Sequence, residues 1–484
     1  MNIYIRKYSI LLFLCFLTAF AVSCSSWMDP KSVLEVEPTI FPDYNDVTVP
    51  CNIAPMNFMV DGAERIQTVI SVDGQEKVRV IGKDGIVNIP IKEWRTLLEQ
   101  NSGRSLEFQV SVWSDEYPAG AAYRPFTINV ADDEIDPWIS YRLIEPGYIG
   151  WRQVGIYQRD VTSFEECEIV TNRESNTTCI NCHNFPSYSP ESMMFHARGS
   201  NGGTVLYNDG KLKKIDFKSI GPKKSTTYPA WHPGGRYIAF SANSTYQFFY
   251  GEGETPIEVY DTASDLVLYD ISTGKVLTDP RFMTEESLET FPSWSPDGKY
   301  LYYAAAPQKN LPDEIKDMHY SICRVLFDSA TGTFGPDVET VYDAGAQGGS
   351  ASYPRISSDG SYLLYTWSEY GTFPVWHKEA DLGMIDLDSM ESVDISMWND
   401  ETEADSYHSW SSNGRWTVFG SRRHDGRYTR LYIAYFDEDG VPHKPFLLPQ
   451  ENPLHNAWRM KSFNVPEFTS GKVELPKEAA DLFL

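Results

Sequence analysis

Positive charge is scarce in this chain. Its 484 residues include 41 Lys and Arg against 67 Asp and Glu, which gives a formal net charge of −26. Because proteins bind phosphate backbones through clustered basic side chains, this balance excludes nucleic acid as a partner. The sequence also lacks the Gly-x-Ser-x-Gly elbow that carries the nucleophile of α/β-hydrolases. We therefore do not expect a serine peptidase.

Long apolar runs are absent beyond the N-terminus, so the sequence predicts no membrane-spanning helix. One apolar run extends from Tyr8 to Val22, directly after the basic pair Arg6 and Lys7. A basic start followed by an apolar run too short to span a bilayer is typical of a secretory signal peptide. The sequence therefore predicts an exported protein.

Cys24 stands after small residues at the end of this run. Its position is similar to that of the lipidated cysteine in bacterial lipoproteins, although Ala21 occupies the place where leucine is usual. We expect a signal peptide over residues 1–23, a lipidated tether over residues 24–30, and anchoring to a membrane of the cell envelope, on its periplasmic side or at the cell surface. Plain secretion is the alternative.

Cysteine is sparse, with seven residues in the chain, and one Cys-x-x-Cys-His motif is formed by Cys179, Cys182 and His183. In an exported protein this spacing is typical of c-type haem, which is attached through two thioethers while the histidine binds iron. We expect these three residues to hold haem c.

Three alternatives remain open for this motif. In the first, Cys179 and Cys182 form a disulfide that closes a loop, which an oxidising compartment permits. In the second, zinc binds the two cysteines and Cys167 together with His183 or His196, which are suitable ligand types. In the third, the Cys-x-x-Cys-His spacing is accidental and binds no group.

The second half of the chain contains an internal repeat. Each copy reads as a short strand, a turn with Gly, Pro or Asp, and a strand of aromatic and aliphatic residues, which predicts a hairpin with apolar faces. The copies are "FPSYSPES" from 185, "YPAWHPGGRYIAF" from 228, "FPSWSPDGKYLYY" from 291, "YPRISSDGSYLLY" from 353 and "YHSWSSNGRWTVF" from 407.

Further strand pairs follow several copies, for example "LVLYDISTGKVLT" from residue 266. Four strands per unit at this spacing predict a β-propeller. The pair over residues 154–170 lacks an inner hairpin and the strand over residues 457–468 lacks outer strands, so we expect the two chain ends to share one blade. This count gives six blades, or seven if a long interval hides another copy.

The repeat also predicts where the Cys-x-x-Cys-His motif lies. If Phe185 corresponds to Phe291, the motif falls in the connection that leads into an inner strand, near one mouth of the channel. Phe185 would then pair with about His196, because paired positions in an antiparallel hairpin have a constant sum. This pairing makes His196 a candidate metal ligand beside His183. Met193 and Met194 are expected in the core.

The N-terminal region has a different sequence pattern and lacks the repeat motif. Alternating segments such as "SLEFQVSVWSD" and "RPFTINV" predict a β-sandwich of immunoglobulin-like type over residues 31–130, with one short helix near "IKEWRTLLEQ". The acidic segment 131–137 is the predicted linker. We assign residues 138–470 to the propeller and residues 471–484 to a C-terminal tail, so the predicted fold class is all-β.

The repeat motif resembles that of the TolB-like β-propeller family. The run aromatic-Pro-x-Trp-x-Pro-Asp-Gly-x-Tyr-aliphatic carries the resemblance and is clearest from Phe291 to Leu301 and from Tyr228 to Ile238. The resemblance implies the fold rather than a function. The combination of lipoprotein signal, sandwich and propeller with one Cys-x-x-Cys-His also resembles envelope proteins of Bacteroidetes.

A second group of candidate residues lies at the start and end of one hairpin: His408, Arg422, Arg423 and His424. Strand ends reach the same face of a propeller, so these side chains are expected near a channel mouth, where they could bind a ligand. The alternative is that they stabilise strand ends and loops.

We expect an envelope lipoprotein that carries c-type haem and acts in electron transfer or as a redox-responsive docking module, with an envelope protein as partner. One alternative is a cofactor-free scaffold that binds a protein or a glycan and has a Cys179–Cys182 disulfide. The other is a metal-dependent enzyme that acts on glycans at the channel mouth. A binding or electron-transfer role is favoured over an enzymatic one.

Overall fold

The computed structural model describes residues 26–145, 154–173, 179–199, 202–223, 226–250 and 255–482. The predicted signal peptide and Cys24 lie outside the described residues. Regular structure in the described ranges is almost entirely β-strand. None of the helices described is long and apolar enough to cross a membrane.

The N-terminal region is built around one seven-stranded sheet with the strand order β1-β8-β7-β4-β5, to which β9 adds on β7 and β2 on β9. β3 and β6 form a separate two-stranded ribbon. The strands are β1 (Ser32–Val33), β2 (Val47–Val49), β3 (Phe58–Met59), β4 (Arg65–Val72), β5 (Gln75–Lys83), β6 (Ile86–Val87), β7 (Ser105–Trp113), β8 (Ala121–Ala122) and β9 (Phe126–Val130).

The predicted short helix is confirmed as α1 (Ile91–Gln100). Its buried side chains are Trp94, Leu97 and Leu98. This spacing places them on one face of the helix, so α1 packs that face into the N-terminal core.

Residues 138–469 contain 24 further strands in the part of the chain that the structure describes. They are β10 (Trp138–Ile144), β11 (Gly155–Asp160), β12 (Glu166–Thr171), β13 (Cys179–Asn184), β14 (Met193–Arg198), β15 (Gly203–Asn208), β16 (Lys211–Ile215), β17 (Thr227–Trp231), β18 (Tyr237–Phe249), β19 (Ile257–Asp270), β20 (Lys275–Leu277), β21 (Ser287–Trp294), β22 (Tyr300–Pro307), β23 (Ser321–Asp328), β24 (Thr333–Tyr342), β25 (Ser350–Ile356), β26 (Tyr362–Ser368), β27 (Asp381–Asp386), β28 (Ser392–Val393), β29 (Asp405–Trp410), β30 (Trp416–Ser421), β31 (Arg430–Tyr435), β32 (Phe446–Leu447) and β33 (Ser462–Thr469). Three one-turn helices accompany them: α2 (Phe217–Ile220), α3 (His455–Trp458) and α4 (Glu478–Asp481).

These strands form six four-stranded antiparallel sheets in the described ranges. Sheet 1 has the order β12-β11-β10-β33, and sheets 2 to 6 run consecutively as β13–β16, β17–β20, β21–β24, β25–β28 and β29–β32. The C-terminal strand β33 therefore pairs with β10, with Trp138 opposite Thr469 and Ile144 opposite Ser462. The two chain ends share one sheet, as the strand pattern predicts.

Each repeat copy forms the hairpin between the first two strands of a sheet. The turn of sheet 4 shows why its Gly is needed. Gly298 has φ +71°, a left-handed conformation that residues with a Cβ avoid. In the same turn the Ser295 hydroxyl donates to Oδ1 of Asp297 at 2.7 Å.

A hydrophobic core lies between each pair of neighbouring sheets. Separate clusters join sheets 1 and 2, 2 and 3, 3 and 4, 4 and 5, and 5 and 6. A larger cluster joins sheets 6 and 1 with the N-terminal region. Burial on both faces explains why the repeat strands are apolar throughout. Six sheets joined in this way are consistent with a β-propeller.

The predicted linker, residues 131–137, is packed against sheet 6. The carboxylate of Asp136 accepts hydrogen bonds from the Ser412 backbone N–H at 2.6 Å and from the Ser412 hydroxyl at 2.7 Å. Tyr44 of the N-terminal region donates its hydroxyl to the Leu447 carbonyl at 3.2 Å. Sheet 6 thus contacts the N-terminal region through polar as well as apolar groups.

Candidate functional site

One strand of each sheet has a register shift at the same place. This strand is the first in sheets 2 to 6 and β33 in sheet 1. At this place two residues oppose a single residue of the neighbouring strand, which defines a β-bulge. The first bulge residue has a positive φ, between 46° and 54°, in all six sheets. We call these residues the bulge ring: Cys182, Tyr228, Phe291, Tyr353, Tyr407 and Val465.

A bulge turns a side chain away from the direction that strict alternation would give it. All six members of the bulge ring line one cavity of about 470 Å³, which we call the large cavity. Non-glycine residues adopt this backbone conformation at a cost. The positive φ occurs in all six sheets, so the fold, and not one local sequence, determines the orientation of these side chains.

Four members of the ring are aromatic and form a continuous arc. The ring centroids of Tyr228 and Phe291 are 4.3 Å apart, those of Phe291 and Tyr353 are 4.2 Å apart, and those of Tyr353 and Tyr407 are 4.7 Å apart. Sheets 1 and 2 contribute the smaller Val465 and Cys182. The side chains of the bulge ring are therefore smaller in sheets 1 and 2 than in the other four sheets.

The second bulge residue is proline in four sheets and histidine in two. His183 occupies it in sheet 2 and His408 in sheet 6. Nδ1 of His408 lies 3.5 Å from the Thr366 hydroxyl, and its Nε2 lies 3.1 Å from the Leu364 carbonyl oxygen. Both nitrogens of His408 thus have a partner.

His183 differs from His408 in this respect. Its side chain lines the large cavity and is only 2% exposed, and neither ring nitrogen has a hydrogen-bond partner among the described residues. Burial, together with the nearby positive charge of Arg142, lowers the pKa of His183 to about 3, although the backbone of Ser140 acts in the opposite direction. A neutral, buried imidazole without a partner is costly, and it is also in the form that binds a metal.

The two cysteines of the motif line the same cavity as His183. Cys179 is buried and its sulfur accepts a weak hydrogen bond from the Asn181 amide at 3.7 Å. Burial raises the pKa of the Cys179 thiol. Cys179 and Cys182 are free thiols in the described chain, without a disulfide between them. The structure therefore brings the three motif residues together.

The motif lies within the innermost strand β13, so the prediction that it lies in a connection before that strand is wrong. Eight residues, 185 to 192, separate β13 from β14, whereas five separate the corresponding strands of sheet 4, 295 to 299. The sequence match of Phe185 with Phe291 follows the turn and is therefore shifted by three residues from the true correspondence, in which Cys182 matches Phe291.

The predicted pairing of Phe185 with His196 is wrong for the same reason. His196 lies opposite Asn181, and its Nδ1 is 2.9 Å from the Thr204 hydroxyl. It does not line the large cavity. Met193 and Met194 are fully buried, as expected, in the cores on the two sides of sheet 2.

Of the ligands in the zinc alternative, Cys167 lies on β12 of sheet 1, whereas Cys179 and Cys182 lie on β13 of sheet 2. Cys167 lies opposite Gln158, on the outermost strand of sheet 1. In the described ranges, no three His, Cys, Asp or Glu side chains are grouped so that they could hold a metal ion.

Two of the four predicted mouth residues line the large cavity, His408 and Arg422. Arg422 donates its Nε–H to the Val375 carbonyl at 2.7 Å, and its guanidinium carbon lies 3.4 Å from the ring centroid of Trp376.

The other two are directed elsewhere. Arg423 forms an ion pair with Asp405 at 2.9 Å. The ring of His424 stacks on Phe41 of the N-terminal region, with centroids 5.2 Å apart.

Sequence reasoning missed three further cations of the large cavity, Arg142, Arg198 and Arg355. Arg142 lies on β10 and Arg198 at the end of β14, and neither belongs to a repeat motif. Arg142 donates to the Asn464 side chain at 2.7 Å, while its Nε has no partner. The cavity thus combines an aromatic arc, two thiols, a neutral imidazole and arginine side chains.

One hairpin extends over the large cavity. β18 and β19 have 13 and 14 residues, and their distal parts, residues 244–250 and 255–263, form what we call the arm. Glu258 of the arm lies 3.2 Å from Nε2 of His377, in the connection between β26 and β27, and accepts a hydrogen bond from Tyr370 at 3.1 Å. The arm of sheet 3 therefore passes sheet 4 and is fixed to sheet 5.

Comparisons with known proteins give limited information. Neither a family model nor a curated protein matches the chain. Among solved structures, a puromycin-hydrolysing peptidase of Mycobacterium tuberculosis is similar over 87% of this chain and 57% of its own, with 11% identity and a TM-score of 0.38.

The periplasmic gluconolactonase PpgL of Pseudomonas aeruginosa is similar over 65% of this chain and 97% of its own, with 14% identity and a TM-score of 0.34. Prolyl oligopeptidase B of Galerina marginata is similar over 61% of this chain and 40% of its own, with 12% identity and a TM-score of 0.33. This chain thus spans little more than half of the first of these structures and less than half of the third. Because these TM-scores are low, the fold assignment rests on the strand pairing of this chain.

Proposed function

We propose that this protein is a cell-envelope lipoprotein that holds a c-type haem in the large cavity and acts in electron transfer or in redox-responsive docking to an envelope protein. The observation that carries the proposal is His183, whose buried imidazole has two unpartnered nitrogens in a cavity that both motif cysteines line.

The residues present fit this group. Cys179 and Cys182 would attach it through thioethers, and the neutral imidazole of His183 would bind its iron. The bound haem would supply one-electron chemistry. Arg142, Arg198 and Arg422 line the same cavity and would place positive charge near the two propionates.

The wider architecture is part of the proposal. The six sheets are the blades of one six-bladed propeller of the TolB-like family, and the N-terminal region is an immunoglobulin-like sandwich. The repetition of the bulge at one position in all six sheets supports the first assignment. The signal-like sequence supports export, with Cys24 as lipid anchor.

The haem site is tested by producing the mature chain together with a haem-attachment system and extracting it with acidified acetone. Haem bound through thioethers stays with the protein and gives a c-type reduced spectrum. Cys179→Ala with Cys182→Ala abolishes attachment. His183→Ala keeps the haem but changes its spectrum.

His408→Ala is the matched control, since His408 holds the same position of the repeat with both nitrogens already paired. This variant keeps attachment and spectrum. A mature protein without covalent haem contradicts the proposal, as does an unchanged spectrum in His183→Ala.

The anchor is tested separately. Cys24→Ser removes the only side chain that lipidation would use, so metabolic palmitate labelling is lost and the protein moves from the membrane to the soluble fraction. Unchanged labelling of this variant would refute the lipoprotein assignment.

The second candidate function is a cofactor-free module that binds a protein or a glycan. It is favoured by the exposed aromatic side chains of the arm, where Tyr246, Phe248, Phe249 and Tyr250 are 40% to 58% exposed. Exposed aromatic rings of this kind are common at binding surfaces. This candidate gains weight if the mature chain carries no haem.

A further inference from the structure

A second cavity, of about 370 Å³, lies on the other side of the bulge ring, and we call it the small cavity. It is lined by the residue two positions after the ring member in each sheet. These residues are Asn184, Ala230, Ser293, Arg355, Ser409 and Glu467. Exposed turn residues, among them Ser187, Pro296 and Ser412, stand at its rim, so it opens to solvent at the ends of the hairpins.

Glu467 contributes an unsatisfied acceptor to this cavity. Its side chain is only 9% exposed. Oε1 accepts a hydrogen bond from the Asn184 amide at 2.8 Å, but Oε2 has no partner. Burial raises the pKa of Glu467 to about 7, although the positive charge of Arg355 and the bond from Asn184 act in the opposite direction. A buried carboxylate oxygen without a donor is costly, which points to a missing donor group.

Arg355 contributes the opposite charge. It lies on β25 of sheet 5, while Glu467 lies on β33 of sheet 1, so Ser409 of sheet 6 separates the two in the layer. The Nη1 group of Arg355 donates to the Pro354 carbonyl at 3.1 Å. A guanidinium has five N–H donors, so most of its capacity remains for a ligand. In the described chain, Arg355 and Glu467 both line the small cavity and also border the large cavity, and they form no direct ion pair.

The remaining wall combines serine side chains with aromatic surface. Trp231, Trp294 and Trp410 form the aromatic part, and each donates its indole N–H to a backbone carbonyl, those of Gly235, Ala230 and Arg355 respectively. Their polar atoms are therefore satisfied within the protein, and they present only ring surface to the cavity. Aromatic surface beside convergent polar groups is typical of a small-molecule site.

We propose that the small cavity binds a zwitterion with an apolar side chain, of the kind represented by an aromatic α-amino acid. The ammonium group would donate to Oε2 of Glu467, and the carboxylate would accept from Arg355. A purely cationic ligand would leave Arg355 without a partner, and a purely anionic ligand would leave Glu467 without one. Arg355 and Glu467 line the large cavity as well, so the two sites adjoin, but the proposal does not require bound haem.

The test uses the mature full-length chain and three matched probes in titration calorimetry. L-phenylalanine carries both charges, 3-phenylpropionate lacks the ammonium group, and 2-phenylethylamine lacks the carboxylate. L-phenylalanine is expected to bind, and each analogue at least about tenfold more weakly, because each leaves one charged group unpaired. Absence of phenylalanine binding at millimolar concentration overturns the proposal, and so does equal binding of either analogue.

Glu467→Gln keeps the shape of the side chain and should weaken phenylalanine binding at least about tenfold. Glu289→Gln is its control. Glu289 is also a buried carboxylate with an unpartnered Oε2, but it lines neither cavity, so its replacement should leave binding unchanged. Equal affinity in Glu467→Gln and the unaltered protein overturns the proposal. If Glu467→Gln does not fold, the comparison of the three probes on the unaltered protein still decides.

Discussion

Sheets 3 to 6 and sheets 1 and 2 meet the same backbone requirement with different side chains. All six sheets have a bulge at one position of the innermost strand. Sheets 3 to 6 fill it with an aromatic ring, and these rings pack on one another. Sheets 1 and 2 place Val465 and Cys182 there instead, and sheet 2 adds the unpaired imidazole of His183.

The difference separates what the fold requires from what a site requires. The bulge itself occurs in every sheet, so the fold accounts for it. The fold does not account for a thiol and an imidazole without a hydrogen-bond partner at positions where sheets 3 to 5 have an aromatic ring and a proline. Positions at which one sheet departs from the repeat are therefore the best candidates for functional residues. Three experiments test this interpretation.

The largest expected effect comes from removing residues 457–484. Sheet 1 then loses β33, which supplies its innermost strand and its member of the bulge ring. The buried Phe463 and Phe468 are lost with it. We expect the loss to exceed the usual stability of a domain, about 5–15 kcal/mol, so the shortened chain should not unfold cooperatively in thermal melting followed by circular dichroism.

Removal of residues 472–484 alone is the control. It deletes Val473, whose backbone N–H and carbonyl bond to the Gln158 side chain at 2.8 Å, but it keeps β33. A smaller drop in melting temperature is expected. If the longer deletion melts at the temperature of the full chain, sheet 1 is not the closing element and its comparison with the other sheets fails.

The second experiment concerns sheet 3, which departs from the repeat by its long arm. His377 is buried between Glu258 and Glu379, with both nitrogens 3.2 Å from a carboxylate oxygen. Burial opposes its protonation, but the two carboxylates outweigh burial and raise the pKa of His377 to about 9. Tyr370, which also bonds Glu258, has its pKa raised by burial and stays neutral over this range.

Because the folded pKa of His377 exceeds the usual value of about 6.5, this contact stabilises the fold fully below pH 6.5 and is lost as the pH rises through 9. The free energy of unfolding in urea should fall by at most about 3 kcal/mol between pH 6.5 and 9.5. His377→Gln should remove this component of the pH dependence. An identical pH profile in the variant would show that the arm is not held by this ion pair.

Much of the fold can be predicted from the sequence because its signals are local. Turn residues and strands of aromatic and aliphatic residues mark the hairpins of sheets 2 to 6, and the spacing of Trp94, Leu97 and Leu98 marks α1. The shared sheet of the two chain ends follows from counting incomplete units. The arm is different, because nothing in its own strands indicates that Glu258 reaches His377 two sheets away.

The site is only partly predictable for a related reason. The motif spacing selects Cys179, Cys182 and His183, but matching the turns rather than the bulges shifts the motif by three residues and misplaces His196. The aromatic-Pro dipeptide of three other copies does not reveal this shift, because Phe185-Pro186 repeats it three residues after the true bulge dipeptide Cys182-His183. Arg142 and Glu467 have no sequence signal at all, because the fold alone brings them to the cavities.

The smallest effect is expected from the two histidines that share the second bulge position. Proline holds this position in four sheets, so the backbone accepts His183→Pro and His408→Pro. His408→Pro removes an imidazole with partners at Thr366 and Leu364, which should cost about 1–3 kcal/mol. His183→Pro removes an imidazole with no partner, so in haem-free protein it should cost less or stabilise the fold. Urea unfolding of the two variants measures the difference, and equal losses would mean that His183 is an ordinary structural residue and that sheet 2 does not differ from sheet 6.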